Sequence, residues 1–177
     1  MKICVYCGSS DGQDPSIPEM ASDFGRELAG RNIGLVYGGS SLGVMGALAN
    51  SVMKHGGEVT GVIPENLFSK EVAHTGITQL ITVADMHERK QTMAELADAF
   101  VALPGGFGTM EELFEIITWN QIGIIEKPVT LLNWKGFYNS LLDMIHLAAE
   151  AGFIREKNID ILQIAETVDE CILKSSP

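Results

Sequence analysis

Short runs of consecutive apolar residues alternate along the chain with stretches whose apolar residues recur every three or four positions. A continuous apolar run is typical of a strand buried on both faces, and a recurrence of three to four is typical of a helix with one buried side. Regular alternation of the two places helices on both faces of a parallel sheet. The pattern therefore predicts an α/β fold, a Rossmann-like doubly wound parallel sheet flanked by helices, with residues 1–177 as a single nucleotide-binding domain.

The predicted elements follow from where each pattern starts and stops. Strands are expected at Lys2–Cys7, Ile33–Tyr37, Glu58–Ile63, Gln79–Val83, Ala99–Leu103, Pro128–Asn133 and Ile159–Ile164. Helices are expected at Ile17–Arg31, Val44–His55, Asp85 to about Ala97, Met110 to about Ile122, Phe137–Ala151 and Thr167–Lys174, with a loop and some helix over Leu67–Ile77. Ligands of such sheets bind beyond the carboxyl ends of the strands, so the glycine-rich turns that follow the strands should share one rim.

The turn after the fifth predicted strand carries the densest signal. It reads Pro-Gly-Gly-Phe-Gly-Thr-Met-Glu-Glu over residues 104–112. Glycines let a backbone approach a ligand closely, and a helix N-terminus offers free N–H groups to an anion. The spacing of Thr109 and Glu112 predicts a capping box that starts the helix, and both Glu111 and Glu112 would then lie in its first turn. Those carboxylates either complement the helix dipole or face a sugar where positive charge develops.

Two earlier turns are open to a structural and a functional interpretation. The segment Cys7-Gly8-Ser9-Ser10 could hydrogen-bond a nucleotide or form a plain turn. The glycines of residues 38–46 could cradle phosphate or serve helix–sheet packing, as Gly46 is expected to do. Cys4-x-x-Cys7 lies within a predicted strand, where residues three apart point to opposite faces, so two structural cysteines are favoured over a redox or metal pair.

Adjacent Arg89 and Lys90 follow the helix start at Asp85, where Glu88 predicts a second capping box. Positive charge near a helix N-terminus opposes the helix dipole. The pair forms either an ordinary solvated face or an anion site in which Arg89 makes bidentate contacts. His87 is expected to be structural.

Charge and cysteine content narrow the class of protein. The formal net charge of −11 argues against a protein that coats nucleic acid or an anionic membrane. No apolar run approaches the ~20 residues that span a bilayer. The chain passes from Met1-Lys2 directly into a strand pattern and has three cysteines, an odd number. We therefore expect no signal peptide and a reducing, cytoplasmic location.

Taken together and in order, four motifs resemble the Lonely Guy family. They are Cys7-Gly8-Ser9-Ser10, Gly38-Gly39-x-x-x-Gly43-x-Met45-Gly46, Met86-His87-Glu88-Arg89-Lys90 and Pro104-Gly105-Gly106-x-Gly108-Thr109-x-x-Glu112. Members of this family are cytokinin riboside 5′-monophosphate phosphoribohydrolases, often mislabelled lysine decarboxylases. The resemblance implies hydrolysis of the N-glycosidic bond of a purine riboside 5′-monophosphate. It also implies a homodimer, with no metal and no organic cofactor.

The resemblance assigns roles to residues by motif. Arg89 and Glu112 match the catalytic pair. Residues matching substrate-binding positions are Gly8, Ser9, Gly39, Glu71, Lys90, Gly106, Phe107, Gly108, Thr109, Met110, Glu111 and Thr118. The sequence departs from the family pattern at Ser40, where a third glycine is usual, and at Phe107, where tyrosine is common.

Two other functions remain as alternatives. A non-catalytic nucleotide or molybdenum-cofactor carrier shares the fold and a similar glycine-rich loop, but it needs no acid facing a sugar. A lysine decarboxylase would need a Schiff-base lysine in a defined site, and no lysine here has such a context.

Overall fold

The structure is a computed structural model and describes residues 1–67 and 73–175. Its apolar runs form seven strands: β1 (Lys2–Tyr6), β2 (Gly34–Tyr37), β3 (Val59–Pro64), β4 (Gln79–Val83), β5 (Ala99–Ala102), β6 (Val129–Leu132) and β7 (Leu162–Ala165). Every pairing between these strands is parallel, and the order across the sheet is β4-β3-β2-β1-β5-β6-β7. The predicted Rossmann-like parallel sheet is confirmed.

The helices cover both faces of the sheet and divide the core in two. They are α1 (Ser16–Gly30), α2 (Gly43–Lys54), α3 (Met86–Leu96), α4 (Phe107–Gln121), α5 (Asn139–Glu150), α6 (Glu156–Ile159) and α7 (Val168–Lys174). One core contains side chains from α1, α2 and α7, and the other contains side chains from α3, α4 and α5. Cys7 belongs to the first core and Cys4 to the second, so the prediction that they occupy opposite faces is confirmed. Both thiols are free and buried.

The order of the strands reverses direction between β1 and β5. Chain order runs outward from β1 to β4 on one side and from β5 to β7 on the other. The loops that leave neighbouring β1 and β5 therefore pass to opposite faces and open a crevice at their carboxyl ends. The two loops stay in contact at their start, where the Gly8 N–H donates to the Pro104 carbonyl at 3.3 Å.

Most boundaries differ from the sequence prediction by a residue or two, and three of the differences change the interpretation. Helix α4 begins at Phe107 with Gly106 as its N-cap, so Thr109 lies inside the helix and the predicted Thr109 capping box is wrong. The last strand, β7, begins at Leu162, because residues Glu156–Ile159 form the short helix α6. The start of α5 moves from Phe137 to Asn139 after a 3₁₀ turn at Trp134–Gly136.

The second predicted helix start is confirmed. Asp85 is the N-cap of α3, and its carboxylate accepts hydrogen bonds from the His87 and Glu88 N–H groups. The Glu88 carboxylate accepts a hydrogen bond from the Ala84 N–H at 2.7 Å. In the usual capping box this carboxylate accepts from the N–H of the N-cap residue, so here the donor lies one residue earlier in the chain. Among residues 1–67 and 73–175, every helix is too short or too polar to cross a membrane.

Candidate active site

A cavity of about 670 Å³ occupies the crevice between the carboxyl ends of the central strands. Its wall is formed by the loops after β1, β2, β3 and β5 together with the starts of α3 and α4. The predicted site residues that line it are Gly8, Ser9, Arg89, Gly106, Phe107, Gly108, Thr109, Glu111 and Glu112. Three predicted segments far apart in sequence therefore meet at one cavity, as their positions beyond strand ends require.

Arg89 and Glu112 form an ion pair in the wall of this cavity. Arg89 Nη1 lies 3.3 Å from Glu112 Oε1, and each side chain is 11% exposed. Arg89 also donates from Nε to the Val62 carbonyl at 3.1 Å and from Nη2 to the Gly38 carbonyl at 3.4 Å. The guanidinium is thus fixed across the ends of β2 and β3, with its remaining face toward Glu112. A guanidinium held by several acceptors in this way keeps one orientation.

Burial controls the proton affinity of the Glu112 carboxyl. Loss of solvent raises its pKa from 4.5 to about 7; Arg89 and Lys90 oppose the rise, and Glu111 and Glu115 add to it. Both protonation states of Glu112 are therefore populated near neutral pH. A carboxyl group with this pKa can accept a proton from water or donate one to a leaving group.

Gly38 makes room for the arginine. A Cβ at this position would lie 2.1 Å from Arg89 Nη2, well inside contact distance. The glycine therefore serves the placement of a protein side chain. This contact is long-range, because residues 38 and 89 belong to different strand–helix units.

The N-terminus of α4 opens onto the cavity. Its N-cap, Gly106, has no side chain to accept from the first N–H groups of the helix, and Phe107, Gly108 and Thr109 line the cavity beside it. A Cβ at Gly105 would lie 2.1 Å from Thr109 Oγ1, so this glycine is needed where the turn folds back on its own helix. Unpartnered amides at a helix N-terminus attract an anion such as phosphate.

The N-terminus of α2 is arranged differently. The Met45 N–H donates to the Gly8 carbonyl at 3.2 Å, and Ser40 Oγ accepts from the Leu42 N–H at 3.1 Å. Gly43, with φ of +60°, leaves no space for a Cβ, which would lie 2.4 Å from the Ser10 nitrogen. The N–H groups at the start of α2 are therefore bonded to the protein or covered by the Ser9–Ser10 backbone, and a phosphate would need that same space. Gly46 is needed for a close contact, since a Cβ there would lie 2.2 Å from the Ser41 carbonyl oxygen. Ser41 belongs to the turn before α2, so the close contact is with this turn and not with the sheet, as helix–sheet packing would require.

Lys90 sits beside the ion pair and lies outside the cavity wall. Its Nζ donates to Glu111 Oε1 at 2.6 Å and to Glu115 Oε1 at 2.9 Å, and its side chain is 12% exposed. Burial alone would lower the pKa of Lys90, but the two carboxylates outweigh it and raise the pKa. The anion partners of this lysine are thus groups of the protein itself.

Three other predicted residues lie away from the cavity. The space above Gly39 is filled by the side chains of Ile63 and Leu80. Thr118 is exposed on α4, where its hydroxyl donates to the Phe114 carbonyl, and Met110 is half-buried in the same helix. Glu71 lies outside the described residues.

Several lining residues were absent from the sequence prediction. Met86 and Phe137 lie at the ends of loops that follow β4 and β6, and Leu67 follows β3. All three are exposed apolar side chains, 37%, 49% and 48% respectively. Together with Phe107, which is 90% exposed, they give the cavity mouth an apolar rim. Their positions just beyond strand ends, on the ligand-binding side of the sheet, were the available signal.

Comparison with solved structures identifies the same fold. The molybdenum cofactor binding protein from Rippkaea orientalis aligns with a TM-score of 0.73 and 23% identity, covering 97% of this chain and 93% of that one. The molybdenum cofactor carrier protein from Chlamydomonas reinhardtii aligns with a TM-score of 0.72 and 22% identity, with the same coverage.

Sequence comparison is more specific than the shared fold. A family profile described as "Possible lysine decarboxylase" matches residues 45–174. The chain is 50% identical to the cytokinin riboside 5′-monophosphate phosphoribohydrolase LOG3 of Arabidopsis thaliana over 98% of this chain and 80% of the relative. It is 49% identical to LOG of Oryza sativa subsp. japonica, over 98% of this chain and 72% of the relative. With this identity over nearly its whole length, the chain belongs to the Lonely Guy family of phosphoribohydrolases.

Proposed function

We propose that this protein hydrolyses the N-glycosidic bond of adenosine 5′-monophosphates, with or without an N6 substituent, and releases the free purine base and ribose 5-phosphate. The observation that carries this proposal is the buried Arg89–Glu112 pair in a cavity wall that also contains the N-terminus of α4. Relatives with about half of their residues identical are named for this activity.

The phosphate is assigned to the amides of Phe107, Gly108 and Thr109. Among the described residues, the lining has four charged side chains, Asp11, Arg89, Glu111 and Glu112; the one cation among them is already paired. Backbone amides and the helix dipole are therefore the available source of positive potential for a phosphate dianion. A phosphate bound there fixes the sugar within reach of Glu112.

Hydrolysis breaks the bond between C1′ and the purine nitrogen, and the electron pair leaves with the base. Positive charge develops on the ribose ring, and the Glu112 carboxylate stabilises it or takes a proton from the water that attacks C1′. Arg89 holds Glu112 in place and favours its ionised form. The proton that Glu112 accepts is then available for the departing purine. The proposal uses no metal and no cofactor.

The apolar rim suits the purine base. Phe107 and Phe137 are exposed aromatic side chains at the cavity, and an aromatic ring stacks on any purine face. Preference between adenine and an N6-substituted adenine would depend on this rim. The other assigned contacts, those of Glu71, Lys90 and Thr118, stay predictions from the family resemblance.

The deciding experiment is base release from adenosine 5′-monophosphate and isopentenyladenosine 5′-monophosphate, with the two free nucleosides as controls. We expect cleavage of the monophosphates only, because the nucleosides lack the group that α4 holds. Glu112→Gln preserves the shape but removes the charge, so nucleotide binding should persist while turnover falls by about 10²-fold or more. Near-normal turnover in this variant would remove Glu112 from catalysis.

A carrier function predicts the opposite result. The molybdenum cofactor proteins share the fold at 22–23% identity, which supports architecture alone. Tight nucleotide or pterin binding with no base release from any substrate would favour a carrier. A pyridoxal-dependent decarboxylase is disfavoured because, among the described residues, no lysine lines the cavity.

A homodimer is the second part of the proposal. Helix α5 contains no fully buried residue, and its Met144 and Leu147 side chains are 55% and 64% exposed. Phe114, Ile122 and Ile124, in α4 and the loop that follows it, are also exposed. Both helices cover the same face of the sheet, so these side chains suit a subunit interface.

Light scattering on the purified protein tests the dimer. We expect twice the mass of the chain for wild type and a shift toward monomer for Leu147→Asp, which places a charge in the proposed interface. A monomeric wild type, or an unaffected variant, would contradict the proposed interface.

A further inference from the structure

A second ion cluster lies beside the Arg89–Glu112 pair and has no part in the proposed chemistry. It consists of Lys90 on α3 and of Glu111 and Glu115 on α4, with Lys90 Nζ 2.6 Å and 2.9 Å from the two carboxylates. The exposed fractions are 12% for Lys90, 53% for Glu111 and 27% for Glu115. The lysine is thus largely enclosed and bonded on two sides.

The two clusters share both of their helices. Arg89 and Lys90 are adjacent on α3, while Glu111, Glu112 and Glu115 fall within five positions of α4. Residues 111 and 115 are one helical turn apart and lie on the same side, so Lys90 can bond to both. Any sliding of α3 along α4 that lengthens the Lys90–Glu115 contact also changes the Arg89–Glu112 distance.

We propose that Glu115 is a positioning residue, which acts with Glu111 through Lys90 to hold α3 against α4 and to keep Arg89 and Glu112 in register. This inference rests on the proposed function, because the pair that is positioned is the proposed catalytic pair. Glu115 does not line the cavity, so its effect on a reaction must pass through its neighbours.

The cluster also sets the charge around Glu112. The groups that face Glu112 are Arg89 and Lys90 from α3, Glu111 and Glu115 from α4, and Cys4, Tyr6 and Cys7 from β1. Burial raises the pKa of the three β1 groups well above neutrality, so they stay uncharged. The charged groups are therefore two cations, Arg89 and Lys90, and three carboxylates, of which Glu112 is one. The negative charge of Glu115 helps to raise the pKa of Glu112.

A bridge that only stabilises the protein would behave differently. Ion pairs at a partly exposed site contribute little to stability. Such a bridge, when removed, would lower the melting temperature slightly and leave the pH dependence of turnover unchanged. A positioning residue changes turnover and its pH dependence, with little effect on substrate affinity.

The test compares Glu115→Gln with Glu115→Asp and with Glu95→Gln as a matched control. Glu95 is an exposed carboxylate on α3 that bonds to Gln91, so its replacement removes the same charge away from the site. For Glu115→Gln we expect kcat to fall about tenfold with KM within threefold of wild type, as for a small misplacement of a reacting group. In the pH profile of kcat, the limb that reports the ionisation of Glu112 should move to lower pH by about half a unit or more, because the charge of Glu115 no longer raises the pKa of Glu112.

Glu115→Asp should keep the wild-type pH profile, because its charge remains, and should lose only part of kcat. If Glu115→Gln fails to fold, the aspartate variant decides the question: unchanged kcat in Glu115→Asp would overturn the proposal. If both glutamine variants fold and have the same kcat and pH profile, Glu115 is not a positioning residue.

A readout without turnover separates this inference from the proposed function. The pKa of the Glu112 carboxyl can be followed by ¹³C NMR in labelled protein, with Glu112→Gln to assign the signal. We expect a lower pKa in Glu115→Gln than in Glu95→Gln, even if wild type releases no base from any nucleotide. The same pKa in both variants would overturn the electrostatic role, whatever the activity.

Discussion

Two glycine-rich turns border the cavity, and they use their glycines in different ways. The first, here called the β2 turn, covers residues 38–46, and the second, the β5 turn, covers residues 105–109. In the β2 turn a Cβ at Gly38 would overlap Arg89, and a Cβ at Gly43 would overlap Ser10. In the β5 turn a Cβ at Gly105 would overlap Thr109, but nothing lies within 4 Å of a Cβ at Gly106 or Gly108. The glycines at 38 and 43 of the β2 turn leave room for protein groups, and those at 106 and 108 of the β5 turn leave room for a ligand.

The difference explains how charge is arranged at the site. The β2 turn admits the Arg89 guanidinium to the ends of β2 and β3, where two carbonyl groups hold it. The β5 turn starts α4 without a side-chain cap and brings Glu112 to the cavity in the second turn of that helix. The β2 turn leaves the space for the Arg89 guanidinium, and the β5 turn starts the helix that carries Glu112. The contact between this cation and this carboxyl group therefore depends on both turns.

The largest expected effect comes from filling the β2 turn. In Gly38→Ala the new methyl group displaces Arg89 Nη2, which is the flexible end of a side chain, so the protein can still fold. With Arg89 moved from Glu112, we expect kcat for base release to fall about 10²-fold or more. Steady-state kinetics and a melting temperature measured on the same sample check this prediction.

The matched variant in the β5 turn is Gly106→Ala. Its methyl group meets no protein atom, so kcat and the melting temperature should stay near wild type while KM for the monophosphate rises. The comparison fails if Gly106→Ala lowers kcat as strongly as Gly38→Ala, because both turns would then serve the same purpose.

Much of this architecture is readable from the sequence, because it depends on local patterns. Buried strands are visible in the sequence as apolar runs. The N-cap of α3 is indicated by an aspartate, Asp85, placed just before the helical pattern. The assignment of Cys4 and Cys7 to opposite faces needed only the two-residue period of a strand. The family motifs located Arg89 and Glu112, since the chain shares about half of its residues with relatives.

The sequence did not indicate one helix boundary or the contacts between distant segments. Thr109 looks like an N-cap by spacing, but the glycine before the helix takes that place and Thr109 packs into the space that Gly105 leaves. The pairing of Lys90 with Glu111 and Glu115 joins residues more than twenty positions apart. No local period reports such a pairing, so the sequence could not indicate it, and a nucleotide contact of Lys90 stays a prediction from the family resemblance.

The next effect concerns the carboxyl that α4 buries beyond the β5 turn. The pKa of Glu112 is about 7 in the folded protein, and its ordinary value of 4.5 applies to the unfolded chain. Between these two pH values the folded protein therefore binds more protons than the unfolded chain. The free energy of unfolding should therefore fall as pH rises from about 4.5 to about 7, by roughly 3 kcal/mol from this group. Urea unfolding at several pH values measures it.

Glu112→Gln supplies the control for this titration, because it cannot ionise. The difference in unfolding free energy between wild type and the variant should depend on pH in that window and level off above it. A difference that does not change with pH would mean that Glu112 titrates normally, and that Arg89 faces a fully ionised carboxylate throughout. Gly38→Ala should extend the dependence to higher pH and enlarge its total, because Arg89 opposes the rise in the pKa of Glu112.

The smallest effect separates backbone conformation from close contact within the β2 turn. Gly43 has φ of +60° and its Cβ would lie 2.4 Å from the Ser10 nitrogen, whereas Gly56 has φ of +78° and open space around it. Alanine at either position is strained by its backbone, at roughly 1 kcal/mol. Gly43→Ala must also push the Ser9–Ser10 backbone away, so we expect it to lose about 1 kcal/mol more than Gly56→Ala. Denaturant unfolding of the two variants measures this difference. Equal losses would show that the β2 turn can yield to a side chain at this position, and that backbone conformation alone requires glycine at position 43.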